Sequence, residues 1–199
     1  WEHVERGIIS PVISIALAER IVLFGAIGGQ VIVEVCRQLV GRRREGLDIY
    51  VSVNVSASQI PDELPPEAVL EALQRHGLPP HAIALEITEG MLMSDVSVAQ
   101  TWIEQLRGAG LRIFLDDFGT GYSSLAYLKR FPLDTVKIDK SFITDMNADN
   151  KDHTLVDAII TMSGSLGLHV VAEGIEEASQ LALLHHLGCG YGQGYYFSR

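Results

Sequence analysis

Residues able to bind metal recur at the ends of apolar runs in this sequence. Asn54 lies at the end of the run Ile49–Val55, and Glu86 lies late in Ala82–Thr88. Asp116 and Asp117 follow Leu111–Leu115, Lys137 lies late in Thr135–Ile138, and Glu173 directly follows His169–Ala172. An ionised carboxylate at the end of a buried strand is costly unless a cation compensates it. Four acidic groups and one amide oxygen form an all-oxygen donor set. That set suits Mg²⁺ or Mn²⁺ better than zinc, which favours His and Cys. Adjacent Asp116 and Asp117 reach two ions if one carboxylate bridges, and two ions about 3.5–4 Å apart form the usual clamp for phosphodiester hydrolysis. Lys137 adds a fixed positive charge able to orient the attacking water or the phosphate. Any one of these residues alone reads as a helix cap, a turn former or a surface ion pair. Five strand ends in register call for a shared site.

The elements that must position them alternate from about residue 49 onward. Between the five runs lie stretches with helical spacing. Asp95 to Ala109 puts Ala99, Trp102, Ile103 and Leu106 on one face. Lys151 to Leu166 does so with Leu155, Ala158, Ile159, Met162 and Leu166, and Glu176 to Leu187 with Leu181, Leu184 and Leu187. The runs are largely apolar, as expected for strands covered on both faces. Strand, helix, strand without a long linker predicts one domain of parallel βα units over residues 1–199. Periodicity does not separate an open sheet from a barrel. Contributions from many successive strand ends favour the barrel, whose site is built on the C-terminal rim.

Composition narrows the function further. The 199 residues are 47 % apolar and 20 % charged, as in a folded globular domain. A net charge of −10 makes the chain a poor candidate for wrapping duplex nucleic acid, which needs a cationic face. Cys36 and Cys189 lie in apolar stretches and read as buried thiols of a reducing compartment. Pro11 to Gly29 is apolar but carries Glu19 and Arg20 at its centre, so a buried helix with its loop is expected rather than a membrane span. The seven histidines show no ligand spacing, no phosphate-binding glycine fingerprint follows a strand, and Ser123 and Ser124 lack a paired histidine.

Longer strings point to one family. DDFGTGYSSLAYLKRFPLDTVKIDKSFI (residues 116–143) resembles the signature core of EAL domains. VSVNVSASQ (51–59), LEITE (85–89), VVAEGIEE (170–177) and LGCGYGQGYYFSR (187–199) do the same, in the family's order. The resemblance implies a modified (βα)₈ TIM-type barrel that hydrolyses cyclic di-GMP to linear pGpG with two Mg²⁺ or Mn²⁺ ions. Carried over, Asn54, Glu86 and Asp116 hold the first metal, and Asp116 bridges to a second completed by Asp117 and Glu173. Lys137 positions the attacking water, and Glu173 is either a ligand or the general base. Glu89 anchors the loop containing Gly119 and Gly121. Glu176 and Gln193 lie at the substrate, and Phe118 packs.

The family's naming strand, with its signature Glu and Arg, belongs just upstream of Trp1, so the chain is expected to continue there and to lack the first one or two barrel strands. Glu71-Ala72-Leu73 is a decoy on a connecting helix. Ser14 to Gly29 departs from the family pattern, with Ser14, Glu19-Arg20 and Val22 where the family has an aromatic, an acidic pair and a glycine. The resemblance also implies a homodimer through residues 119–128. It implies a cytoplasmic domain that makes no membrane contact itself, fused to or regulated by upstream sensory domains of a longer protein that can be membrane-anchored. The rival reading is a receptor or scaffold domain that binds cyclic di-GMP without cleaving it.

Overall fold

In the computed structural model, residues 2–3, 7–8, 24–121, 125–146 and 151–198 are described. Glu19, Arg20 and the Tyr122–Ser124 part of the expected dimer loop lie outside them.

A short antiparallel hairpin of β1 (Glu2–His3) and β2 (Gly7–Ile8) precedes the long helix α1 (Phe24–Arg44). The expected apolar helix at the N-terminus is thus described only from its end onward. Six parallel strands follow: β3 (Val51–Asn54), β4 (Ile83–Thr88), β5 (Arg112–Phe118), β6 (Thr135–Ile138), β7 (His169–Ala172) and β8 (Tyr191–Gly192). Their order in the sheet is their order in the chain. A doubly wound sheet reverses its strand order at a switch point, whereas a barrel adds each strand beside the last. The six strands are therefore a curled part of a barrel, not an open two-winged sheet.

Helices link the strands: α2 (Pro66–Arg75), α3 (Glu89–Ser94), α4 (Val96–Gly108), α5 (Leu125–Arg130), α6 (Lys140–Thr144), α7 (Lys151–Ser165) and α8 (Ala178–His186). Local chemistry sets their ends. Pro66 opens α2 at a position where its missing N–H costs nothing. Asp95 starts α4 by accepting the N–H groups of Ser97 and Val98, each at 3.1 Å. The Glu71-Ala72-Leu73 decoy lies within α2, with Ala72 and Leu73 buried and Glu71 paired to Arg75 on the surface.

Alternation along the strands separates two faces. Ile83, Leu85, Ile87, Ile113, Leu115, Val136, Ile138, Val170 and Ala172 point outward and pack with the helices in one apolar core. Trp102, Ile103 and Leu106 of α4 join it, and the Trp102 indole N–H donates to Leu64 O at 2.8 Å. Burying one such Leu or Ile contributes about 1.5–3 kcal/mol. The opposite strand face carries Asn54, Glu86, Asp116 and Lys137.

Two expectations need correction. Helix α7 buries Val156, Ile159, Ile160 and Ser163, while Leu155 and Leu166 are exposed. Apolar residues occur on two neighbouring stripes of this helix, and the stripe turned to the core includes Ser163, to which an apolar count gives no weight. Cys189 is only partly buried, because it sits at the rim beside β8 and its thiol faces Val170 O and Tyr191 O. Cys36 is fully buried. No described helix is long and apolar enough to cross a membrane.

Candidate active site

Register brings the strand ends together. Asn54 pairs with Glu86 across β3 and β4, and Thr88 pairs with Asp116 across β4 and β5. The N–H of Glu173 donates to Ile138 O at 3.1 Å, so Glu173 continues β7 one residue past its last pair. Residues paired in parallel strands point the same way. One face of the C-terminal rim therefore collects side chains from β4, β5, β6 and β7.

Lys137 is at the centre of that collection. Its Nζ lies 2.9 Å from Glu86 Oε2, 3.0 Å from Asp116 Oδ1 and 2.7 Å from Glu173 Oε1. Lys137 is 4 % exposed and Glu86 5 %. Burial alone pulls the Lys137 ammonium down, but the bonds to Glu173, Glu86 and Asp116 outweigh it and hold the group above the ordinary lysine value.

Asp117 enters the same cluster through a backbone irregularity. In a regular strand, adjacent Asp116 and Asp117 face opposite sides. Here the β5–β6 register shifts between Leu115 and Phe118, so the three steps of β5 match two of β6. Asp117 adopts φ 53, the only positive φ of a non-glycine residue among the described residues. This β-bulge re-aims the second aspartate, and oxygens of Asp116, Asp117 and Glu173 lie within 4.8 Å of one another. A left-handed conformation costs roughly 1–2 kcal/mol for a non-glycine residue. Phe118 then returns to the core at 5 % exposure.

The cluster carries an excess of negative charge. Glu86, Asp116, Asp117 and Glu173 with one ammonium sum to −3 when all are ionised. Burial pushes the Asp117 carboxyl up, and Asp116 and Asp139 add to it. Burial likewise pushes Glu173 up, with Lys137 opposing and Asp116 and Glu86 reinforcing. Oxygen-only donors, uncompensated charge and partial burial fit hard divalent cations.

The remaining expected residues are placed as follows. Asn54 is exposed at the rim of β3, level with Glu86. Glu89 Oε1 accepts the N–H of Gly119 at 3.3 Å. A Cβ on Gly121 would lie 2.8 Å from Glu89 Oε2, so a side chain there would collide with that carboxylate. Glu176 and Gln193 are exposed on adjoining segments, tied by the bond from Ile175 N–H to Gln193 O at 3.1 Å. Gln180, which sequence reading passed over, is 5 % exposed and bonded at both ends of its amide. A glutamine three residues after Glu177 is the visible trace of its capping role.

Comparison with known proteins places the chain in a family. The chain is 41 % identical over 200 residues to the bifunctional diguanylate cyclase/cyclic di-GMP phosphodiesterase MucR of Pseudomonas aeruginosa, matching all of this chain and 29 % of that protein. It is 38 % identical over 199 residues to the cyclic di-GMP phosphodiesterase PdeR of Escherichia coli, covering all of this chain and 30 % of PdeR. The chain thus spans under a third of the curated relatives it matches. The solved structure of the PaMucR phosphodiesterase in complex with c-di-GMP superimposes with a TM-score of 0.94 at 41 % identity, covering all of this chain and 81 % of that one. The family model described as the EAL domain matches residues 1–199. This chain belongs to the EAL domain family.

Proposed function

We propose that this domain hydrolyses cyclic di-GMP to linear pGpG, using two Mg²⁺ or Mn²⁺ ions. The observation that carries this reading is the convergence of Glu86, Asp116 and Glu173 on Lys137, with Asp117 turned into the same cluster by the bulge. Relatives named as cyclic di-GMP phosphodiesterases support the substrate.

Asn54, Glu86, Asp116 and Asp117 would hold the ions, with Glu173 as a further ligand or as the general base, and the family resemblance assigns Asp116 to both ions. Bound divalent cations would acidify a water and neutralise charge on the phosphate. The protein's own groups then have distinct tasks. Lys137 fixes one oxygen each of Glu86, Asp116 and Glu173, so these carboxylates cannot rotate freely. Where Glu173 serves as the general base rather than as a ligand, it would take the proton of the attacking water at Oε2, since Oε1 is held by Lys137. The water oxygen bonds to phosphorus, one phosphodiester P–O bond breaks, and the ribose oxygen leaves with a proton from solvent. Glu89 would hold the Gly119–Gly121 loop beside Asp117, and Glu176 and Gln193 would border the bound dinucleotide.

The free thiols Cys36 and Cys189 suit a reducing compartment, and we place the domain in the cytoplasm. The greater length of its relatives supports fusion to further signalling domains, and a homodimer is proposed by family resemblance. The test is incubation with cyclic di-GMP and Mn²⁺ or Mg²⁺, followed by chromatography for pGpG. Formation of pGpG is expected. Binding without product would replace the hydrolase by a receptor.

A further inference from the structure

Helix α6 begins three residues after Lys137, with Asp139 as its cap accepting the N–H of Ser141 at 2.9 Å. It meets the loops that follow both neighbouring strands. On the β5 side, Phe142 packs against Gly119, which has φ +100, and a Cβ there would lie 2.8 Å from the ring. On the β7 side, Lys140 abuts Gly174, which has φ +68 and follows Glu173 directly.

Gln180 of α8 makes the third link. Its Nε2 donates to Ile143 O at 3.0 Å and to Thr144 O at 3.1 Å. Its Oε1 accepts the N–H groups of Glu176 at 2.8 Å and Glu177 at 2.9 Å. Both donors and both lone pairs of the amide are used. A capping box requires one of these bonds, to the cap residue's own N–H. The other three join the turn Gly174–Glu177 to the last residues of α6.

We infer that Gln180 is a positioning residue that braces the turn Gly174–Glu177 against α6 and so fixes the rim of the site beside Glu173. The inference rests on the hydrolase reading and deepens it. The carboxylates are held by the strands, as the bond from Glu173 N–H to Ile138 O shows. The turn beyond them is held by Gln180. The brace therefore acts on how the cyclic dinucleotide is seated, not on the bond-breaking step.

Two variants separate the links. Gln180→Leu removes all four bonds at similar volume. Gln180→Glu keeps an acceptor for the Glu176 and Glu177 amides but sets an oxygen against the carbonyls of Ile143 and Thr144. Both are expected to raise KM for cyclic di-GMP about tenfold while kcat stays within about threefold. Affinity for Mn²⁺ is expected to stay at the wild-type value. Amide hydrogen exchange at Glu176 and Glu177 is expected to accelerate in Gln180→Leu and to keep its protection in Gln180→Glu. An unchanged KM, with kcat falling only as the folded fraction falls, would overturn the brace and leave a plain helix cap. Unchanged exchange at both amides in Gln180→Leu would also overturn it. If the wild type cleaves no cyclic di-GMP while exchange responds as stated, the hydrolase reading fails and the brace stands.

Discussion

Lys137 shows how one side chain sets the electrostatics of the site. Its ammonium contacts three carboxylates from three other strands while almost wholly buried. Removing one partner of a buried ion pair strands the others and costs about 3–5 kcal/mol. Lys137→Met should lower the melting temperature of metal-free protein by that loss, and Mn²⁺ should restore part of it. An unchanged melting temperature would show that the ammonium does not neutralise the cluster. The pH dependence has a definite sign. The folded-state proton affinity of Lys137 lies above the unfolded value of 10.5, so its stabilisation is complete below that pH and fades as pH rises through the folded value. The stability gap between wild type and Lys137→Met should hold from neutral pH to about 10 and close beyond it, as followed by denaturant titration. Asp117 has the opposite character. Its raised value means that its charge is unfavourable in the folded state. Asp117→Asn should therefore increase metal-free stability, since asparagine also tolerates the left-handed conformation, while abolishing turnover. A less stable Asp117→Asn would contradict this.

At the scale of elements, the site depends on features of unequal visibility in the sequence. Strand ends were legible, because β-branched runs closing in a polar residue mark both the element and its exit. Thr135–Ile138 and His169–Ala172 coincide with the observed strands, and the helical spacing from Asp95 to Ala109 coincides with α4, which Asp95 caps. The bulge was not legible. Adjacent Asp116 and Asp117 suggest shared work, but only the shift between β5 and β6 shows how both reach one face. Strand β8 escaped notice because two residues in a Gly- and Tyr-rich segment have no period to detect. Gln180 escaped because a polar residue within an apolar helix face reads as solvent-exposed until its partners are seen. The loop after β5 supplies the prediction at this scale. Gly119 combines φ +100 with contact to Phe142, so Gly119→Ala should cost roughly 1–2 kcal/mol from the conformation alone. Gly119→Ala in a Phe142→Leu background should be less damaging than in wild type, because the ring no longer meets the methyl. Additive losses in a double-mutant cycle would show that the ring and the loop are not coupled.

At the scale of the molecule, six strands in chain order place the outward faces against helices and the polar rim on one side. This division keeps the core between sheet and helices apolar while Glu86, Asp116 and Glu173 gather around Lys137 at the strand ends. The family resemblance supplied the substrate, which composition and spacing alone do not reach. The central claim is that the rim carboxylates hold divalent cations. Mn²⁺ binding to wild type and to Asp116→Asn, measured by electron paramagnetic resonance at neutral pH, tests it most directly. The account predicts saturable binding by the wild type and at least about a tenfold loss of affinity in Asp116→Asn. Equal binding by both proteins, or none by either, would contradict it.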